Sequence, residues 1–136
     1  MIRVFYGEKG MGKTGKMIEM ANEQAGNKRG DVVFIDYSND LIYKLKHQIR
    51  FTNISDYPVA GSKALSAFIC GIVSQNYDIE GIFIDGLTYI VKEEISTLEE
   101  FFSVIETLSK QYNINFIFSI NGKRENMPGF LRPYIE

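Results

Sequence analysis

The segment that decides the fold spans residues 2–14 and reads IRVFYGEKGMGKT. Residues 2–6 are mostly apolar and of types that favour extended backbone, and Gly7 ends the run, so this part is predicted to be a strand. Over residues 13–25 apolar side chains group on one face at helical spacing, and Gly26 then ends the pattern. The sequence therefore predicts a glycine-rich loop that connects a strand directly to a helix.

The loop carries a phosphate-binding pattern. It consists of Gly7, Glu8, Lys9, Gly10, Met11, Gly12, Lys13 and Thr14, and Gly15 follows. This order matches the motif of a glycine, four residues of any type, and then Gly-Lys followed by Ser or Thr. Glycines let backbone N–H groups turn inward around an anion, and the start of the helix adds partial positive charge at the same place. Residues 7–15 are therefore candidates for binding a nucleotide.

Two side chains of this loop have specific expected roles. Lys13 is expected to reach the β- and γ-phosphates of the nucleotide, and the Thr14 hydroxyl is expected to ligate Mg²⁺. The alternative is a glycine-rich turn that only begins a helix. A turn of that kind has no need of the Gly-Lys-Thr triplet, so the phosphate-binding interpretation is favoured.

A predicted strand over residues 81–85 supplies the other half of the candidate site. It is a largely apolar run that ends in Asp85. Open α/β sheets bind their ligands beyond the carboxyl ends of the strands, so Asp85 is expected to hold Mg²⁺ opposite Thr14, directly or through water. The alternative is an aspartate that stabilises the turn with Gly86, because Asp-Gly is a common turn pair.

The remaining segments alternate between strand-like and helix-like patterns. Further strands are predicted over residues 32–35, 50–54 and 114–120. Further helices are predicted from Ser38 or Asn39 to about Gln48, over residues 62–75, and after a capping box at residues 96–99. This alternation predicts an α/β domain with a mostly parallel sheet, and residues 1–136 are predicted to form a single domain.

The composition is that of an ordinary globular domain. Of the 136 residues, 45% are hydrophobic and 24% are charged, and the net charge of −2 gives no overall basic excess typical of nucleic-acid-binding proteins. The single cysteine, Cys70, excludes an intramolecular disulfide and fits a reducing compartment. No signal peptide is recognised, and the longest nearly unbroken apolar run, residues 64–73, is too short to span a bilayer. We therefore expect a cytoplasmic protein without membrane insertion.

Two smaller groups of residues are interpreted as structural. Cys70 is predicted to be a buried thiol within an apolar helix, and His47 is predicted to be solvated. The basic residues Lys44, Lys46, His47 and Arg50 are more typical of a solvated helix face than of a surface that binds phosphate backbones. Nucleic acid is therefore not an expected partner.

On these motifs the chain resembles the P-loop NTPases, and within them the RecA-like branch, over about residues 1–124. The shared order is a phosphate loop, a helix, a strand ending in Asp36, further helices, the Walker B strand ending in Asp85, and a last strand ending in Asn121. The chain also resembles a small bacterial family of stand-alone P-loop proteins. The resemblance implies a three-layer fold with helices on both faces of a sheet of about five strands, in the order 5-1-4-3-2. It also implies ATP and Mg²⁺ as ligands.

The resemblance further implies a set of site residues. RecA-like proteins place a polar sensor residue beside the γ-phosphate at the end of the last strand, a position that Asn121 or Ser119 matches. The catalytic candidates are then Lys13, Asp85, Asp36 and Asn121. Lys123 and Arg124 follow the last strand, where ring-forming relatives carry basic residues that reach a neighbouring subunit. The alternative for this pair is a solvated loop, and Arg132 is equally ambiguous.

The chain departs from the family pattern at the position that matters for hydrolysis. Many relatives carry a glutamate directly after the Walker B aspartate, whereas Gly86 stands here. RecA-like proteins instead place a glutamate just past the second strand, where this chain has Asp36, whose side chain is one methylene shorter. A misplacement of about 1 Å can cost on the order of a hundredfold in rate. Asp36 is alternatively a turn carboxylate at the end of a strand.

Three functions follow from these observations. The first is an ATP-binding protein with weak or partner-activated hydrolysis, the second is a nucleotide-gated binding module without hydrolysis, and the third is a small-molecule kinase with residues 122–132 as its candidate lid. ATP is favoured over GTP because residues 27–30, Asn-Lys-Arg-Gly, break the Asn-Lys-x-Asp signature of GTPases and lie too early in the chain. A homo-oligomer or an unknown protein partner stays open.

Overall fold

The computed structural model describes residues 1–27 and 29–135, and its centre is a sheet of five parallel strands. The strands are β1 (Ile2–Gly7), β2 (Asp31–Asp36), β3 (Arg50–Asn53), β4 (Ile79–Ile84) and β5 (Asn115–Asn121). The α-helices are α1 (Lys13–Gly26), α2 (Ser62–Ser74), α3 (Leu87–Val91) and α4 (Glu99–Tyr112). Short 3-10 helices lie at Ile42–Lys44, Ile54–Asp56, Ile95–Thr97, Arg124–Asn126 and Gly129–Tyr134. The predicted α/β class and parallel sheet are confirmed.

Helices cover both faces of the sheet, because successive strand residues point to opposite sides. On one face, α1 buries Met17 and Ala21 against Phe34 and Phe83. On the other face, the core formed by α2, α3 and α4 packs against the alternate residues of the same strands. That core includes Leu65, Ile69, Ile90, Phe102, Ile105, Ile35, Ile84, Phe116 and Phe118. The described helices include none that is long and apolar enough to cross a membrane.

The predicted strand order 5-1-4-3-2 is wrong, since the strands lie in the order β1-β5-β4-β2-β3. Burial along the strands gives the physical reason. Five consecutive residues of β5 are buried, as suits a central strand, whereas only two residues of β1 are buried and β3 has none. On its other side, away from β5, β1 forms a single parallel β-bridge between Val4 and Ile135. Because β5 lies between β1 and β4, Asn121 lies between the end of the glycine loop's strand and Asp85.

The helix predicted to run to about Gln48 is wrong, and only the 3-10 turn Ile42–Lys44 forms there. The Asn22 side chain of α1 explains part of this difference. Its amide donates to the Lys44 carbonyl over 2.9 Å, and its oxygen accepts from the Lys46 N–H over 2.8 Å. These two bonds engage backbone groups that a helix would need, so a contact between distant parts of the chain overrides the local pattern.

Two further local predictions are wrong. The residue before α4 is Leu98, and no side chain caps this helix, so the capping box at residues 96–99 does not form. Cys70 is exposed rather than buried, because α2 turns Leu65 and Ile69 toward the sheet and Cys70 away from it. His47 is exposed, as predicted.

Candidate functional site

The glycine loop leaves β1 at Gly7 and enters α1 at Lys13. Gly10 and Gly12 have φ values of 91° and 81°, in the left-handed region that favours glycine. Gly12 precedes α1, and no side chain caps the start of this helix. The first N–H groups of α1 therefore have no side-chain acceptor at the helix start, which is the arrangement that binds anions.

Lys13 folds back over the loop. Its Nζ donates to the carbonyl oxygens of Gly7 and Glu8 over 2.9 and 2.8 Å. Burial lowers the pKa of Lys13, and the charge of Asp85 opposes that change by favouring the ammonium form. The ammonium group is thus held at the loop by groups that a phosphate can replace or join.

Thr14 and Asp85 meet although 71 residues separate them in the chain. The Thr14 hydroxyl lies 3.1 and 3.0 Å from the two carboxylate oxygens of Asp85 and donates to that carboxylate. Two adjacent ligand oxygens on an octahedral Mg²⁺ also lie about 3 Å apart, given Mg–O distances of about 2.1 Å. Hydroxyl and carboxylate oxygens are ligands that Mg²⁺ accepts, so these two residues fit the ion.

Within residues 1–27 and 29–135 no group of three or more His, Cys, Asp and Glu side chains could hold a metal ion. Mg²⁺ beside Thr14 and Asp85 could take further oxygen ligands from phosphate and water. Mg²⁺ usually binds in this way, through one or two carboxylates together with phosphates and water. The hydroxyl of Thr14 and the carboxylate of Asp85 thus fit Mg²⁺ bound in this way.

Ser119 holds Asp85 in place. The Ser119 hydroxyl donates a short hydrogen bond to Asp85 Oδ1 and accepts one from the Gly86 N–H over 2.7 Å. Ser119 and Asp85 are both nearly fully buried. Of the two sensor candidates, Ser119 therefore contacts Asp85, whereas Asn121 is the register partner of Gly7 and lines the cavity described below.

Asp36 lies at the carboxyl end of β2 and is only 3% exposed. Burial raises its pKa to about 6, and the nearby charges of Asp85 and Asp40 act in the same direction. The Tyr37 N–H donates to Asp36 Oδ1 over 2.7 Å and opposes the rise. Asp36 is not among the residues that line the cavity, so the structure brings this carboxylate near the site but not into its wall.

Tyr37 and Gly86 are site residues that the sequence analysis did not assign. Gly86 has φ 76°, and a Cβ atom built on it would lie 2.5 Å from Cε1 of Tyr37. The Tyr37 ring therefore lies directly against Gly86, and its centroid is 5.2 Å from that of Tyr89. A usable signal existed for Tyr37, because it directly follows Asp36 at the carboxyl end of a predicted strand.

A cavity of about 280 Å³ joins these elements. It is lined by Lys9, Gly10, Gly12, Lys13, Thr14, Gly15, Tyr37, Asp85, Gly86, Ser119 and Asn121. A larger cavity of about 480 Å³ lies between β3 and α2 and is bordered by residues such as Phe68 and Ile72. Chemistry rather than volume distinguishes the first cavity, because the glycine loop, a lysine and a carboxylate converge only there among the described cavities.

Several predicted residues lie outside this cavity. Gly7 and Glu8 contribute their carbonyl groups to Lys13, and the Met11 side chain is 70% exposed. Lys123 and Arg124 are exposed near the end of β1, where the Tyr6 hydroxyl donates to the Lys123 carbonyl over 3.1 Å. Lys123, Arg124 and Arg132 form no ion pair with another described residue.

No protein-family model matches this chain, and no curated protein matches its sequence.

Proposed function

We propose that this protein binds ATP together with Mg²⁺ in the manner of a P-loop NTPase of RecA-like type. One observation carries the proposal: the Thr14 hydroxyl meets both oxygens of the buried Asp85 carboxylate at the mouth of a glycine loop that also holds Lys13. A turn that only starts a helix needs neither the lysine nor the distant carboxylate. A site for phosphate and Mg²⁺ needs both.

The binding roles follow from the positions of these groups. The loop N–H groups and Lys13 bind the β- and γ-phosphates, and Thr14 and Asp85 hold the ion. Bound Mg²⁺ supplies neutralisation of phosphate charge. Ser119 keeps Asp85 oriented, because its hydroxyl bonds one carboxylate oxygen and fixes the Gly86 N–H. Asn121 lines the same cavity as Lys13 and is the proposed polar contact to the γ-phosphate.

Hydrolysis is proposed to be weak or dependent on a partner. Asp36 is the nearest candidate for orienting water, and its pKa of about 6 leaves it able to accept a proton near neutral pH. Asp36 nevertheless lies outside the cavity wall. The described residues that line the cavity include Lys9 and Lys13 but no arginine. A second copy or another protein that supplied an arginine would raise the rate through stabilisation of transition-state charge.

Two observations support a nucleotide-gated binding module as the second candidate. Gly86 stands where many relatives carry a glutamate, and the ring of Tyr37 covers that position. The kinase alternative is less favoured, because its candidate lid, residues 122–132, packs against the core near its end, although Lys123 and Arg124 are exposed. Leu131 is fully buried there, and Phe130 packs against Phe102.

Calorimetric titration of the purified protein with ATP and ADP, with and without Mg²⁺, tests the proposal. Lys13→Ala is expected to weaken ATP binding at least tenfold, because it removes a charge-assisted contact of about 1.5–3 kcal/mol. Lys16→Ala is the matched control, since Lys16 is exposed on the same helix and contacts the Phe5 ring rather than the cavity.

Phosphate release measured on the same samples separates the two candidates. Release by the wild type that disappears in Lys13→Ala identifies an ATPase, whereas ATP binding by the wild type without release in either protein favours the gated module or an ATPase that lacks its activating partner. A wild type that binds neither nucleotide, or a Lys13→Ala variant that binds as well as Lys16→Ala, contradicts the proposal.

A further inference from the structure

The position directly after Asp85 is closed by an aromatic ring. Because Gly86 has no Cβ, Cε1 of Tyr37 reaches within 2.5 Å of the point where a Cβ would stand. Cε1 is the ring carbon next to the one that bears the hydroxyl, so the phenolic end of the ring lies close to Gly86. Tyr89 flanks the same backbone, with a ring carbon 3.4 Å from that point.

The two tyrosines differ in what they face. Tyr37 lines the cavity together with Lys13, Thr14 and Asp85, whereas Tyr89 is not among the lining residues. Tyr37 is 40% exposed and Tyr89 is 45% exposed, so neither ring is fixed by complete burial. The pair therefore offers one tyrosine that lines the candidate nucleotide cavity and one similarly exposed tyrosine that does not.

The position of Tyr37 in the cavity indicates which part of a bound nucleotide its ring could contact. The glycine loop would surround the phosphates, and Thr14 and Asp85 would hold an ion that offsets their charge. Tyr37 follows the end of β2 and lies against Gly86, and β4, which leads to Asp85, separates β2 from β5 and β1 in the sheet. A terminal phosphate that extended from the loop toward Asp85 and Gly86 would come closer to this ring than the second phosphate would.

The chemistry of the ring suits such a contact. A phenol is uncharged at neutral pH and donates one hydrogen bond, and hydrogen bonds to charged acceptors are among the stronger ones in proteins. Asp36 and Asp85 make this end of the cavity acidic. A neutral donor placed there offsets some of the repulsion that a γ-phosphate would meet, without adding another charge.

We propose that Tyr37, seated on Gly86, is the specificity-determining residue that recognises the γ-phosphate and so distinguishes ATP from ADP. This inference rests on the proposed function, because it assigns a further contact within the same nucleotide site. Its physical basis is a phenol that shares a cavity wall with Lys13 and Asp85 and lies against Gly86, the residue directly after Asp85.

The test compares the affinities of Mg-ATP and Mg-ADP for the wild type, Tyr37→Phe and Tyr89→Phe. Tyr37→Phe keeps the ring on Gly86 and removes only the hydroxyl. We expect its affinity for Mg-ATP to fall about tenfold, the size typical of a lost hydrogen bond to a charged group, with little change for Mg-ADP. Tyr89→Phe is the matched control and is expected to change neither affinity.

The outcomes separate this inference from the function on which it rests. If the wild type binds neither nucleotide, both fail. If the wild type binds Mg-ATP and Tyr37→Phe keeps the wild-type ratio of the two affinities, the inference is overturned and the proposed function stands. An equal loss for both nucleotides also overturns it, because that result indicates a structural role.

Gly86→Ala provides a second measurement. The added methyl group meets Tyr37 and sits at an unfavourable φ, so the ring must move away. We expect the same loss of preference for Mg-ATP over Mg-ADP, with thermal unfolding recorded to confirm that the variant is folded. A folded variant that keeps the full preference overturns the inference.

Discussion

Asp36 is the residue at which burial and charge act together most strongly. It is 3% exposed, lies in the field of Asp85, and has a pKa raised to about 6 from an ordinary value of 3.8. Between about pH 4 and pH 6 the folded protein therefore holds a proton that the unfolded chain has lost. The free energy of unfolding is expected to fall as pH rises through this window and to change little from this cause above it.

Asp36→Asn tests this expectation, because asparagine keeps an oxygen that accepts from the Tyr37 N–H but carries no charge. In the absence of Mg²⁺ and nucleotide, the variant is expected to unfold with on the order of 2 kcal/mol more free energy than the wild type at about pH 7.5. The gap is expected to close toward about pH 4. Urea denaturation at several pH values measures both quantities, and a gap that does not depend on pH contradicts the assignment.

Most of the residues that line the cavity were named from the sequence, whereas Tyr37 and Gly86 were missed. Lys13, Thr14 and Asp85 were accessible because the loop motif and a carboxylate at a strand end each carry a known chemistry. The position of Tyr37 after Asp36 was visible in the sequence, but its contact with Gly86 was not, because Gly86 lies 49 residues away in the chain and touches the ring only in the folded protein. In the sequence alone, Gly86 indicates only that no acidic side chain follows Asp85, and its contact with Tyr37 is not visible.

At the scale of elements, α2 depends on a carboxylate from another part of the chain. Gly61 precedes the helix and has no side chain to cap it. Glu93 instead accepts from the Ser62 N–H over 2.6 Å and from the Ser62 hydroxyl over 3.1 Å. The start of α2 is thus tied to the segment that follows α3, and α3 itself begins two residues after Asp85.

Glu93→Ala is expected to lower the free energy of unfolding by about 1 kcal/mol, the usual effect of losing a helix cap. Glu19→Ala, at an exposed position of α1, is expected to stay within about 0.5 kcal/mol of the wild type. Urea midpoints of the two variants provide the comparison. Equal stability of the two would show that the Glu93 carboxylate does not cap α2 in solution.

The predictions of strands were confirmed where consecutive residues are buried on both faces of the sheet. The prediction of a helix was wrong where a contact from a distant part of the chain determines the backbone conformation. The runs that form β2, β4 and β5 are apolar on both faces, so a strand was predictable from the local sequence. The absence of a helix before β3 was not predictable from the local sequence, because Asn22 of α1 binds two backbone groups of that segment. The local pattern contains no information about such a partner.

At the scale of the whole molecule, the last segment belongs to the core. Leu131 is fully buried in the same core as α2, α3 and α4. The Tyr134 ring stacks on Phe102 at 5.8 Å, and its hydroxyl donates to Glu106 over 2.9 Å. The segment therefore covers the side of β1 that would otherwise be the open edge of the sheet.

Leu131→Ala is expected to cost about 2–5 kcal/mol of unfolding free energy, as is usual for truncation of a buried leucine. Ile42→Ala, at a side chain that is 46% exposed, is the control and is expected to cost less than about 1 kcal/mol. Unfolding followed by circular dichroism and by tyrosine fluorescence should give one common transition. A Leu131→Ala variant as stable as the control would mean that the segment is not part of the core.

The order of the strands could not be derived from the sequence pattern. The parallel sheet and the α/β class follow from alternating segments, which are local properties. The position of β5 between β1 and β4 follows from how completely each strand is buried, and this becomes visible only when the faces of the sheet are known.

The contact between the Tyr37 ring and Gly86 also restricts which substitutions positions 37 and 86 can accept during evolution. A side chain at position 86 and the ring at position 37 would occupy one volume, so a residue larger than glycine at position 86 requires the ring to move or to be replaced by a smaller side chain. A descendant that gained an acidic residue after Asp85 is therefore expected to carry a displaced ring or a smaller residue at position 37. A larger residue at position 86 is therefore expected to be accompanied by a change at position 37.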